Sequence, residues 1–182
     1  LRANIGDCVK IKLTNRLKSG NASLHANNIA FDPLTSQGIN VGNNPGDQTV
    51  APGKSKNYEF YAHPDYNING ALLWDFGNLT TNVRDGMFGG IIIGPRGSVY
   101  RDPATGKDIS LGNSWKADVI IDKSFPENAN LSNYRDFALY FQDEDNIIGT
   151  SFMPYLQNVA GLTGVNYRLE PWLYREDEGC EL

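Results

Sequence analysis

The chain has 182 residues, 40% of them hydrophobic and 20% charged, with a net charge of −5. That is an ordinary globular balance in about one domain's length, long enough to bury a core without help from metals or many disulfides. The acidic charge argues against nucleic acid, which needs a basic footprint, and no apolar run approaches the roughly 18 residues of a membrane span.

Leu1 opens the chain inside a strand pattern, as expected of a mature product or a fragment, so the missing leader leaves the compartment open. In Cys8–Thr14 the apolar Val9, Ile11 and Leu13 alternate with Lys10, Lys12 and Thr14. That period of two predicts a strand with one buried face. Further strands are predicted at residues 58–61, 72–74, 88–93, 119–121 and 137–141. The run at 88–93 is flat and apolar at its end, as in a central strand buried on both faces. Turn clusters separate the strands: Asn43-Asn44-Pro45-Gly46-Asp47, Ala51-Pro52-Gly53-Lys54 and Asp102-Pro103-Ala104-Thr105-Gly106. The nearest helical candidate, residues 131–137, runs straight into a strand pattern. Short strands joined by Gly, Pro and Asn turns mean a β-sandwich or barrel.

The organisation changes near Lys116. Residues 125–134 are polar and Asn-rich, like a linker, and the acidic tail at 175–181 is expected to fray. The two cysteines do not fix a redox compartment. Cys8 is expected to be a small buried strand residue and Cys180 an exposed tail thiol, with their pairing left open. Sequons at Asn21, Asn78 and Asn130 matter only in a source that glycosylates secreted proteins. Asp32, Asp47 and the run Asp143-Glu144-Asp145 offer oxygens of the kind Ca²⁺ takes, without the spacing of an EF-hand. A nucleophile elbow and a phosphate loop are both missing. Trp74, Trp115 and Trp172 suit core or sheet-end packing, a sugar platform, or, for Trp172, a neighbouring domain.

Several phrases, in order, resemble the multicopper oxidase family of repeated cupredoxin domains. Ile5-Gly6-Asp7-Cys8-Val9 with Leu13-Thr14-Asn15 resembles its Gly-Asp turn and following strand. Thr49-Val50-Ala51-Pro52-Gly53-Lys54-Ser55 resembles its Val-x-Pro-Gly turn, and Gly86-Met87-Phe88-Gly89-Gly90-Ile91-Ile92-Ile93 its glycine-rich strand. Ser23-Leu24-His25-Ala26-Asn27 stands where the family carries His-x-His, and Leu72-Leu73-Trp74-Asp75-Phe76 near its later histidine pair. Gly97-Ser98-Val99-Tyr100 with Asp102-Pro103 is similar to the family's exit from that strand. Tyr134-Arg135-Asp136-Phe137-Ala138-Leu139-Tyr140-Phe141 resembles the opening strand of a following domain, and Val165-Asn166-Tyr167-Arg168-Leu169-Glu170-Pro171 a segment found early in one.

The resemblance implies an all-β, cupredoxin-like Greek-key β-sandwich or barrel with an irregular C-terminal extension. Residues 1–117 would be the domain, and 118–182 a linker plus the opening strand of the next. Neighbouring cupredoxin domains would be the partners. The strand at Phe137 could also replace a missing opening strand, within one chain or in a strand-exchanged homo-oligomer. An extracytoplasmic location follows from the resemblance only.

Copper sites of this family need clustered imidazoles, with Cys and often Met at type 1 sites. This chain has only His25 and His63. His25 falls on the first position of a His-x-His pair, Asn27 holds the second, and Asp75 and Gly77 replace the later pair. His25 is therefore the one metal candidate, either a degenerate structural histidine or a ligand completed by another domain. His63, before Pro64, reads as an exposed loop residue, Cys8 lacks the neighbours of a type 1 ligand, and Met87 reads as packing. No catalytic residue and no bound cofactor are expected in this chain, with copper held by the parent protein. Three functions stay open: a copper-free structural domain of an oxidase coupling one-electron oxidation to O₂ reduction, a copper unit completed between domains or subunits, and a non-catalytic binding module.

Overall fold

The computed structural model describes residues 1–40, 46–65, 69–78, 82–83, 86–110, 114–143 and 163–165. The described residues form twelve strands and one 3₁₀ turn: β1 (Arg2–Asn4), β2 (Cys8–Thr14), β3 (His25–Asn27), β4 (Ala30–Phe31), β5 (Ser55–Tyr61), β6 (Gly70–Trp74), β7 (Phe88–Gly94), β8 (Val99–Arg101), β9 (Lys116–Ile120), Pro126–Asn128 (the turn), β10 (Tyr134–Phe137), β11 (Phe141–Asp143) and β12 (Thr163–Val165). The fold is all-β, and no helix among these residues is long and apolar enough to cross a membrane.

Two sheets share the main core. One runs β1-β7-β6-β3 and the other β2-β5-β4. Alternation decides what each contributes, because successive side chains point to opposite faces. From the first sheet come Ala3, Ala26, Ala71, Leu73, Ile91 and Ile93; from the second come Tyr58 and Phe60, with Val9, Ile11, Leu13 and Phe31 packed against them. Burying a side chain such as Phe60 or Ile91 contributes roughly 1.5–3 kcal/mol. The chain passes from β3 in one sheet to β4 in the other through Asn28, at φ 61°. Asn tolerates that left-handed conformation better than most residues.

The other face of β7 explains two of its glycines, Gly90 and Gly94. A Cβ on Gly94 would strike the Tyr100 hydroxyl, and one on Gly90 would lie 2.6 Å from the Tyr140 ring. Each glycine is thus the seat of a tyrosine from the later part of the chain. The β10-β9-β8 sheet supplies this third layer, with its own small core of Tyr100, Ala117, Val119 and Ile121. Arg2 and Asp136 tie the layers together at 2.5 Å, their side chains 1% and 15% exposed.

Several expectations change here. Cys8 is exposed, not buried; it shares the outward parity of Lys10 and Lys12, which the period-two pattern already implied. The strand expected at 137–141 ends at Phe137 as β10 and resumes at Phe141 as β11. β10 pairs antiparallel with β9 of its own chain, Phe137 facing Lys116. The helical candidate at 131–137 lies partly in β10. Residues 125–134 are a braced turn: Asn128 is buried and donates to the carbonyls of Arg96 and Asp122 at 2.8 and 2.7 Å. The position between residues 117 and 118 falls inside β9, which is hydrogen-bonded to β8 and β10. Cys180, Trp172, Glu144 and Asp145 lie outside the described residues.

Candidate functional site

The two segments that the sequence singles out for metal come together. β3 pairs with β6, setting His25 opposite Trp74 and Asn27 opposite Leu72. His25 and Asn27, two residues apart, share one face of β3. Beyond Trp74 the chain bends back over β3, and the Phe76 amide donates to Ser23 Oγ at 2.9 Å.

His25 is held from all sides. Its Nδ1 lies 2.6 Å from the Gln37 carbonyl and its Nε2 3.0 Å from the Asn27 side-chain oxygen Oδ1. Both contacts are to oxygens, and a neutral imidazole donates from one nitrogen only, so with the proton on Nδ1 the Asn27 amide must be turned end for end to set its NH₂ against Nε2. The rings of Phe76 and Phe31 meet the imidazole edge-on, with centroids 5.3 and 5.8 Å away. An imidazole whose Nδ1–H donates to a carbonyl has the orientation of a metal ligand, but here Asn27 occupies the coordinating nitrogen.

The later positions are closed differently. Asp75 is buried, and its Oδ1 accepts from the Gly77 amide at 2.7 Å and the Asn82 side chain at 3.1 Å. Its Oδ2 is buried without a hydrogen-bond partner among the described residues. Gly77 lies flat on the chain before β3: a Cβ there would sit 2.5 Å from the Asn21 carbonyl oxygen and 2.6 Å from Ala22 Cα. Backbone occupies the space a second histidine would need. At this place one imidazole is capped, one carboxylate oxygen is engaged, and Gly77 admits no side chain.

The remaining candidates are apart from this place. His63 Nδ1 accepts from the Asp65 amide at 3.2 Å, and Tyr61 packs edge-on against the ring, 5.5 Å between centroids. Asp32 and Asp47 cap their own turns. Asp47 Oδ1 accepts from Asn40, the Thr49 amide and the Thr49 hydroxyl at 2.7–2.8 Å. These bonds, the one from Asn40 foremost, hold its carboxyl below the usual range. Tyr58 and Tyr100 are buried and donate to the carbonyls of Gln48 and Ala3, both at 2.7 Å. Burial raises both phenols, Tyr58 to about 12.

Sequence reasoning missed the cluster of Arg2, Tyr100 and Asp136. The Arg2 guanidinium lies 5.4 Å from the Tyr100 ring centroid and bonds a carboxylate 134 positions away. No local pattern announces such a pair, although an arginine at a buried parity of a strand hints that a partner exists.

No family model matches the chain, and no curated protein matches it. Among solved structures it is similar to Lac15 from a marine microbial metagenome, with 22% identity over 53% of this chain and 23% of that one, at a TM-score of 0.42. The chain spans less than a quarter of the length of that structure.

Proposed function

We propose that the chain is a copper-free, Greek-key cupredoxin-type domain of a larger extracytoplasmic multicopper oxidase. Its work is structural: it spaces copper-bearing neighbours and presents surface to them, while the whole protein couples one-electron oxidation of a substrate to reduction of O₂. The family resemblance of the sequence phrases supports the fold and the parent. The observation that carries the copper-free part is the seat of Gly77 against the Asn21–Ala22 backbone, since a lone capped imidazole does not retain copper against water. Asp75, pinned by Gly77 and Asn82, then serves to brace the turn after β6.

One observation favours a second reading, copper completed by another domain or subunit: the Nδ1 contact of His25 with the Gln37 carbonyl, which suits a ligand. One experiment tests the copper-free reading for this chain. The purified chain is incubated with excess Cu²⁺, desalted, and assayed for metal and for charge-transfer absorption. Less than about a tenth of a copper per chain is expected, because a single imidazole is too poor a ligand set. Near-stoichiometric copper that is lost in His25→Gln would overturn the copper-free reading.

A further inference from the structure

β2 is the outermost strand of its sheet, paired only with β5 among the described residues. It is seven residues long, free of Pro and without a bulge in its register, so it lacks two of the usual guards of a sheet edge. Its outward groups follow from the ladder. The Ala62 amide donates to the Asp7 carbonyl and the Asn15 amide to the Lys54 carbonyl, both at 3.0 Å. Hydrogen-bonded pairs alternate along an antiparallel ladder, so the odd residues of β2 bond β5. The amides and carbonyls of Cys8, Lys10, Lys12 and Thr14 face away from the sheet.

Beside this edge runs a cleft of about 350 Å³, bounded by Arg2, Asn4, Cys8, Lys10, Tyr100 and Ser110 among others. Its opposite wall is β1, itself an edge strand of the other sheet. We infer that the β2 edge is a docking site for an extended peptide strand with acidic side chains at every second position and apolar ones between. The apolar side chains would continue the row of Val9, Ile11 and Leu13, which is half-buried. The acidic ones would lie beside Lys12, which is exposed, and beside Lys10, also exposed but already 3.0 Å from the Glu59 carboxylate of β5, so Lys12 carries most of the charge preference. A second copy of this chain is disfavoured in the centred register. Two-fold antiparallel pairing centred on Ile11 sets Lys10 of one copy opposite Lys12 of the other, and like charges directly opposite are unfavourable. Main-chain hydrogen bonds would give the affinity and the lysines the selectivity.

The test uses the full chain and a labelled seven-residue peptide alternating Val and Glu, with a Val and Lys peptide as its counterpart. Fluorescence anisotropy reads binding, and amide hydrogen exchange maps it. The Glu peptide should bind and protect the amides of Cys8, Lys10, Lys12 and Thr14, with the Lys peptide about tenfold weaker or worse. Lys12→Pro removes an outward amide without touching the β5 ladder, a substitution that edge strands tolerate. It should weaken the Glu peptide about tenfold, from the lost bond and the ring's bulk. Lys12→Glu, a change at an exposed side chain, should narrow the difference between the peptides. Equal binding of both peptides, no binding at about 1 mM, or protection elsewhere would overturn the inference. So would a dimer in which β2 is protected without peptide.

Discussion

Asp136→Ala tests how the third layer is held. The change removes one member of an ion pair whose other member, the Arg2 side chain, is 1% exposed. Breaking a buried pair from one side costs about 3–5 kcal/mol, because a charge stays buried without its counterpart. Arg2 keeps its 3.4 Å bond to the Ser114 carbonyl and its place beside the Tyr100 ring, and Asp136 is 15% exposed. The low end, about 3 kcal/mol, is therefore expected. For a chain of this size that is a fall in Tm of roughly 6–12 °C. Asp136→Asn keeps an acceptor and should lose less, about 1–2 kcal/mol. Arg2→Met with Asp136→Leu removes both charges and should lie within about 1 kcal/mol of the parent or above it. Urea unfolding gives the free energies, and limited proteolysis reports whether residues 114–140 loosen first. A loss under about 1 kcal/mol in Asp136→Ala, or an equal loss in the double variant, would refute the reasoning.

Gly77→Ala should destabilise by about 2 kcal/mol or more in urea unfolding, since the added Cβ meets backbone that cannot step aside; a neutral result would reopen the place as a ligand position. Tyr58 ionises about two units later folded than unfolded, from a reference value of 10.0 to about 12. The folded state holds that proton more tightly, so its contribution is full below pH 10 and is lost as pH rises through about 12. Absorbance at alkaline pH should show Tyr58 ionising with unfolding, and stability in Tyr58→Phe should fall less over that window. Cys8 should react with a thiol reagent in the native state, and Cys8→Ser should change stability by less than about 0.5 kcal/mol; protection from the reagent would contradict its exposure. Asn128→Ala leaves two carbonyls, Arg96 and Asp122, without their donor and should cost about 1–3 kcal/mol by urea unfolding.

Local pattern determined much of the fold without any tertiary information. Alternation in Cys8–Thr14 set both ends of β2 and the face that Val9, Ile11 and Leu13 bury, because strand geometry fixes parity. The same parity exposes Cys8, so the expectation of a buried thiol came from the residue type's average habit and not from its position. The turn clusters at Pro52-Gly53 and Pro103-Ala104 marked real ends, since fixed and permissive φ values act locally. What depends on residues far apart was decided only by the tertiary structure. Gly90 and Gly94 of β7 read as part of a sequence motif, but their reason is the pair of tyrosines, Tyr140 and Tyr100, that lie on them. Arg2 and Asp136 are 134 positions apart, and no periodicity links them. At the candidate metal centre, sequence could count imidazoles. Only the folded chain reveals that Asn27 caps His25 and that backbone fills the side of Gly77. Chemistry depends on which groups converge, and convergence is set by sheet pairing across the whole chain.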